Sequence, residues 1–313
     1  MKIQSGMLQR LLPFFSLIAL FVILSIASPY FLTATNLSSV VRQTAVINIM
    51  ALGMTLVIVS GGIDLSVGSI LAFAGVMGTL TMVSNGSVIL GIAAGVLFGT
   101  LWGFANGFMI TSLKIPPFIV TLGTLGIVRG LTLVVTNGLP VVGLPKEHSY
   151  LGEGTVGPVP FVLVVLIVCA VIMHVVLHST KLGRYTYAIG SNEEAAIYAG
   201  IPVARYKIAI YAIAGMLTGL AAMIETSRLM TGQPTAGVSY ELQVIAAVVI
   251  GGGSLTGGEG TVIGTLIGAF IMGLLSNGSD LLGVNPYWQQ AIIGSIIIMA
   301  VALDAARKRR FAT

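Results

Sequence analysis

The run Val57–Phe73, VIVSGGIDLSVGSILAF, places Asp64 in a glycine-rich break between two hydrophobic stretches. A carboxylate at the centre of a bilayer costs about 2.5–3.5 kcal/mol on insertion scales, so it is kept there only for a reason. Three uses fit the residue types. Asp64 and Ser66 can hold an irregular turn near a solute path by accepting from freed backbone donors. Asp64 can cap a helix at the membrane boundary, where its charge is cheaper. As an ionisable group inside an apolar stretch it is also a candidate for direct contact with a ligand. The remaining polar residues offer less. Glu225 and Arg228 stand three apart and can pair on one helix. Arg129 has no carboxylate near it in sequence. His174 and His178 have helical metal spacing but no third ligand nearby, so no metal is expected. No acid and base pair assembles in the apolar stretches, so no catalytic residue is assigned. GGGSLTGG, residues 251–258, has the glycines of a phosphate loop but lacks its lysine. Asn48, Thr55, Asn106, Thr121, Thr124 and Asn277 suit either a weakly polar solute path, where hydrogen bonds exchange easily, or contacts between helices.

The elements that carry these residues are set by composition. Of 313 residues, 56% are hydrophobic and 8% charged, about a third of the charge usual in soluble domains. An all-α integral membrane protein of one domain, 1–313, is expected. Hydropathy at about 20 residues per span puts spans near 11–28, 43–60, 67–84, 87–111, 115–136, 160–178, 205–227, 241–257, 259–277 and 287–304. The glycine-rich backbone at 241–257 and around Asp64 is where a span can be broken or re-entrant. The first apolar run exceeds the 7–15 residues of a signal-peptide core and reads as a helix. With the N-terminus in the cytoplasm, Lys2, Arg10, Lys114, Lys181, Arg184, Arg205, Lys207, Arg307, Lys308, Arg309 and Arg310 all fall inside. The net charge of +5 is thereby a topology signal, with both termini cytoplasmic, and not a nucleic-acid footprint. Cys169 is the single cysteine, which excludes an intrachain disulfide.

Three patterns organise the spans. Gly91, Gly95, Gly99, Gly103 and Gly107 recur every fourth residue, giving one helix a bare face that another helix must meet closely. SGGIDLSVG echoes GGGSLTGG at an offset of 190, which sets Asp64 and Ser66 opposite Ser254 and Thr256. Paired glycine-interrupted segments point to an internal transporter repeat. An outer loop at about 137–160 precedes the span near 160–178, and the inner loop of about 179–204 follows that span. There Ser191 or Asn192 can cap a short helix with Glu193 and Glu194 in its first turn, presenting Ala195, Ala196 and Ala199, and stopping at Gly200 before Pro202. Two turns are too short to stand alone, so this helix is expected to dock.

Four long motifs, GMTLVIVSGGIDLSVGSILAF, PPFIVTLGTLGIVRGLTLV, LGRYTYAIGSNEEAAIYAGIPVARYKIAIYAIAG and QPTAGVSYELQVIAAVVIGGGSLTGGEGTVIGTLIGAFIMG, occur in this order. Together they closely resemble the ribose-type sugar permeases of bacterial ATP-binding-cassette importers, over about Asn36 to Asp304. The resemblance implies a type II importer fold and a second permease subunit, identical or related. It implies a cytoplasmic ATPase that binds ATP and magnesium, and a periplasmic or lipid-anchored sugar-binding protein. It makes Asn192–Ile201 the coupling helix and the bacterial inner membrane the location. The rival is an ion-coupled secondary transporter built on broken helices, with Asp64 at its site. Such a transporter has no use for a docking helix.

Overall fold

The computed structural model describes residues 2–311. The side chains of 2–11 and 303–311 lie outside the described residues, and with them Lys2, Arg10, Arg307, Lys308, Arg309 and Arg310 of the basic set. The chain is α-helical almost throughout. The long helices are α1 (Lys2–Ala27), α2 (Ala34–Val59), α3 (Val67–Asn85), α4 (Val88–Ser112) and α5 (Pro117–Thr136). After them come the short α6 (Ser149–Glu153), then α7 (Phe161–Ser179), α8 (Lys181–Ser191), α9 (Glu193–Tyr198) and α10 (Val203–Leu229). The last three are α11 (Tyr240–Ile250), α12 (Val262–Leu281) and α13 (Pro286–Phe311). A two-residue hairpin, Thr155–Val156 with Val159–Pro160, is the one small sheet among the described residues.

The ten expected spans correspond to α1–α5, α7 and α10–α13. Among the described residues, seven of these, α2–α5, α7, α10 and α12, are long and apolar enough to cross a membrane. The span expected at 241–257 is corrected: its helix stops at Ile250, because Gly252 takes φ +90° and turns the chain out of the α conformation. Eleven residues then run without helix to Val262. The two loops also differ from expectation. The 179–204 connection holds a second helix, α8, and the 137–160 connection holds α6 and the hairpin.

One helix sits at the centre. Every residue of α2 from Thr44 to Val59 is buried, which its apolar character all round demands. The glycine stripe of α4 faces α10 over most of its length. A Cβ on Gly99 would run into the carbonyl of Gly215 and stand 2.8 Å from the Cα of Gly219, and one on Gly107 would stand 2.7 Å from the Cα of Ile208. Gly91, at the other end, meets Met82 and Gly78 of α3, and Gly95 meets Met223 of α10. Backbones pack directly on backbones here, since lipid supplies no hydrophobic drive and close van der Waals contact must replace it.

α10 ties the two ends of the bundle together. Its 27 residues rise about 40 Å at 1.5 Å per residue. It begins three residues after α9 and its turn and ends against α6, where a Cβ on Gly152 would meet the backbone of Arg228. The ends are called here the α9 end and the α6 end.

Candidate translocation and coupling sites

The break after α2 lies at the α9 end. Gly61 takes φ +79°, its amide bonds Ile58 O at 2.9 Å, and the amide of Gly62 reaches back to Val57 O at 2.9 Å. The break after α11 repeats this: Gly252 bonds Val249 O at 2.9 Å and Gly253 bonds Val248 O at 2.8 Å. The two breaks touch, with the amide of Gly258 donating to Val59 O at 2.9 Å. Gly190 of α8 lies against both, so that a Cβ on it would stand 2.6 Å from the Gly258 nitrogen and 2.9 Å from the carbonyl carbon of Val59. The internal echo is therefore visible in space, with both segments at the same end of the bundle.

After its break the chain holds a tight turn. Asp64 Oδ1 accepts from the Ser66 amide at 2.8 Å and from its hydroxyl at 2.5 Å. In the second segment the Ser254 hydroxyl accepts from the Thr256 amide at 3.4 Å and lies 3.1 Å from Thr256 Oγ1. These side-chain turns match at the offset of 190 read in the sequence, while the helix ends match at 191. One residue has slipped between the halves.

From Ser66 the polar contacts continue inward. Asn106 Nδ2 of α4 donates to Ser66 Oγ at 2.8 Å, and Thr124 of α5 donates to Asn106 Oδ1 at 2.7 Å. Thr121 donates to Pro117 O at 2.9 Å and lies 3.3 Å from Ile63 O, which the Tyr211 hydroxyl of α10 also reaches at 3.3 Å. The structure thus brings Asp64, Ser66, Asn106, Thr121 and Thr124 into one network that joins four elements. All five are buried in the protomer, Asp64 at 1% exposure, and its Oδ2 has no hydrogen-bond partner among the described residues. Asn48 and Asn277 lie elsewhere. Asn48 donates to Thr44 O within α2, Asn277 exchanges hydrogen bonds with Asn36, and Thr55 pairs with Thr265 at 2.7 Å.

The short helix at the α9 end is built as its sequence dictates. Asn192, in extended conformation, accepts from the Ala195 amide through Oδ1 at 2.9 Å, with Glu193 and Glu194 in the first turn. Gly200 at φ +78° ends it, and the Ile201 amide returns to Ala196 O at 3.0 Å. Lys207 of α10 clamps Glu193 at 2.7 Å. Ala196 does not present outward as its place in the sequence suggests. It is buried against Ile189, Val203 and Tyr206, because only that side of α9 can rest on α8 and α10. The free face instead carries Ile197, Tyr198, Ala199 and Gly200, with Tyr198 90% exposed. Sequence reasoning passed over Ile197 and Tyr198. Their signal was two large apolar side chains in a stretch, 191–200, otherwise built from small, polar and charged residues.

At the α6 end a second set of contacts anchors the 137–160 connection. His148 Nε2 lies 3.0 Å from Thr226 Oγ1, Ser227 donates to His148 O, and the Gly152 amide donates to Ser227 Oγ at 2.7 Å. Arg42 of α2 pairs with Glu153. Arg228 and Glu225 pair at 3.0 Å, and the Tyr240 hydroxyl lies 3.4 Å from Glu225. Arg129, unpartnered in sequence, donates to Pro234 O at 2.7 Å and reaches Gly68 O at 3.4 Å. Burial drives the buried imidazole of His148 down from its ordinary 6.5 to about 4.

A short capped helix and a polar, broken-helix centre thus lie at the same end of the bundle. The family described as "Branched-chain amino acid transport system / permease component" matches residues 36–301. The chain belongs to this permease family. Among its relatives, the ribose import permease protein RbsC of Bacillus subtilis (strain 168) is 47% identical over 301 residues, covering 96% of this chain and 94% of the relative. RbsC of Escherichia coli K12 is 43% identical over 299 residues, 92% of each chain. The L-arabinose ABC transporter permease protein AraH of Azospirillum brasilense is 38% identical over 293 residues, 94% of this chain and 86% of that one. Over nearly its whole length it is thus similar to ribose import permeases and to the permease of an L-arabinose ABC transporter. No solved structure matches it significantly.

Proposed function

We propose that this permease forms the membrane path of an importer that moves a ribose-like monosaccharide into the cytoplasm of a bacterium. ATP and its magnesium are bound and hydrolysed by a separate ATPase subunit, a second permease chain completes the path, and a periplasmic or lipid-anchored binding protein delivers the sugar. The α9 end faces the cytoplasm and the α6 end the exterior, with both termini inside and the chain in the inner membrane. The names of the relatives support the sugar. The observation that carries the coupling is the build of α9: capped, clamped to α10 by Lys207, and tipped by an almost fully exposed Tyr198. A partner that seats on Tyr198 pushes on α10, and α10 packs backbone to backbone on α4, which holds Asn106.

In this account Asp64, Ser66, Asn106, Thr121 and Thr124 are buried positioning residues of the path, holding the start of α3 against α4 and α5. The broken helices and the unpartnered Oδ2 of Asp64 favour a second reading, an ion-coupled carrier. The two separate in vesicles that hold the purified permease with its ATPase. Sugar uptake that requires internal ATP and persists without any ion gradient supports the importer. Uptake driven by a proton or sodium gradient with no ATP supports the carrier.

A further inference from the structure

α7 is the most apolar span, with a mean hydropathy of 2.9, and only 28% of it is buried. Val164, Ile167, Val168, Val171, Ile172 and Val175 form one exposed stripe along it. At helical spacing these positions lie on a single face, so that face meets lipid tails. The same stripe ends in His174 and His178, both exposed, with their rings stacked at 5.4 Å. Lys181 and Arg184, also exposed, follow in the next turn of chain.

The corner that presents these four side chains is rigid. Thr180 donates to Val176 O at 2.6 Å and accepts from the Gly183 amide at 3.3 Å, so it closes α7 and starts α8 at once. Gly183 lies directly on the carbonyls of Val176 and Leu177, where a Cβ has no room. Arg184 folds back, with Nη1 3.5 Å from Ser179 O at the end of α7. No acidic residue occurs between Glu153 and Glu193, and neither Lys181 nor Arg184 has a carboxylate partner among the described residues.

We propose that the α7–α8 corner binds the phosphate of an anionic phospholipid. The acyl chains lie along the valine and isoleucine stripe, Lys181 and Arg184 hold the phosphate by charge-assisted hydrogen bonds, and the histidine pair lies at the level of the headgroup and glycerol. The assignment to the cytoplasmic leaflet rests on the orientation proposed above. The lipid preference itself does not, so the two can fail separately.

The test is native mass spectrometry of the full chain released from micelles doped with equal phosphatidylglycerol and phosphatidylcholine. The unaltered chain should retain phosphatidylglycerol in preference. Lys181→Gln with Arg184→Gln should reduce that preference about 30-fold, the effect of two basic groups at a membrane surface. The charge-conserving pair Lys181→Arg and Arg184→Lys should retain it. If the double Gln variant does not purify, each single Gln variant carries the test with a loss of about fivefold. Equal retention of both lipids by the unaltered chain overturns the proposal. So does a preference that survives neutralisation, which would leave Lys181 and Arg184 to the ATPase.

Discussion

Asn106 of α4 donates to the hydroxyl of Ser66 at 2.8 Å, and through it the first turn of α3 is fixed to the helix that packs on α10. The same amide group accepts from Thr124 at 2.7 Å, so a single fully buried side chain joins three elements. Asn106→Leu leaves the Thr124 hydroxyl without this acceptor and Ser66 without this donor. A loss of about 1–3 kcal/mol is expected, read as a lower melting temperature of the purified permease.

Asp64→Asn should be tolerated better than Asp64→Leu. Asn keeps the side-chain oxygen that accepts from the Ser66 amide and hydroxyl, whereas Leu leaves both donors buried without it. Expression and thermal stability of the two variants measure the difference. Equal transport loss in both, with both well expressed, points to an essential charge and to the ion-coupled reading.

Glycines on α4 and α5 should behave in opposite ways. Gly99→Leu prevents assembly, because even a Cβ there strikes Gly215 and Gly219. Gly126→Ala on α5 should assemble normally, since a Cβ there meets nothing within 4 Å in the protomer. Membrane yield and gel-filtration profile distinguish them. A Gly126→Ala chain that cannot assemble would mark that face of α5 as a close contact with another chain.

The anchored 137–160 segment should loosen in acid. His148 is held neutral when folded, at about 4 against an ordinary 6.5, so the unfolded segment takes up the proton first. Stability from this group is complete above pH 6.5, falls as the pH drops, and levels off below about 4. His148→Gln has no such group, and its melting temperature should fall less between pH 6.5 and 4 than that of the unaltered chain. Parallel curves would contradict the assignment.

Much of this architecture was legible in the sequence because membrane physics writes it in composition. Ten apolar runs mark ten helices, and the fourfold glycine period marks the helix face that meets α10. The Asn192 cap and the Gly200 stop delimit α9, since both are local and need no tertiary partner. What the sequence hides depends on packing. Ala196 reads as a presented small residue, yet the way α9 rests on α8 and α10 turns it inward and leaves Tyr198 outside. Nor does residue type say that Asp64, Asn106 and Thr124 converge while Asn48 and Asn277 pair elsewhere, because all five are polar residues in apolar runs. Arg129 hydrogen-bonds carbonyls, and the carboxylate whose charge acts on it, Glu241, is remote in sequence, so no reading of its sequence neighbours would have found either.

The coupling role of α9 is tested most directly at Tyr198. Tyr198→Asp removes little packing within the chain, since the residue is 90% exposed, but places a charge where a partner protein should bury an aromatic ring. The measurement is sugar uptake and ATP hydrolysis by vesicles holding the permease, its ATPase and the sugar-loaded binding protein. The account predicts a variant that inserts and melts as the unaltered chain does, yet takes up no sugar and no longer stimulates the ATPase. Undiminished, ATP-independent uptake by Tyr198→Asp would contradict it and leave the ion-coupled carrier as the better description.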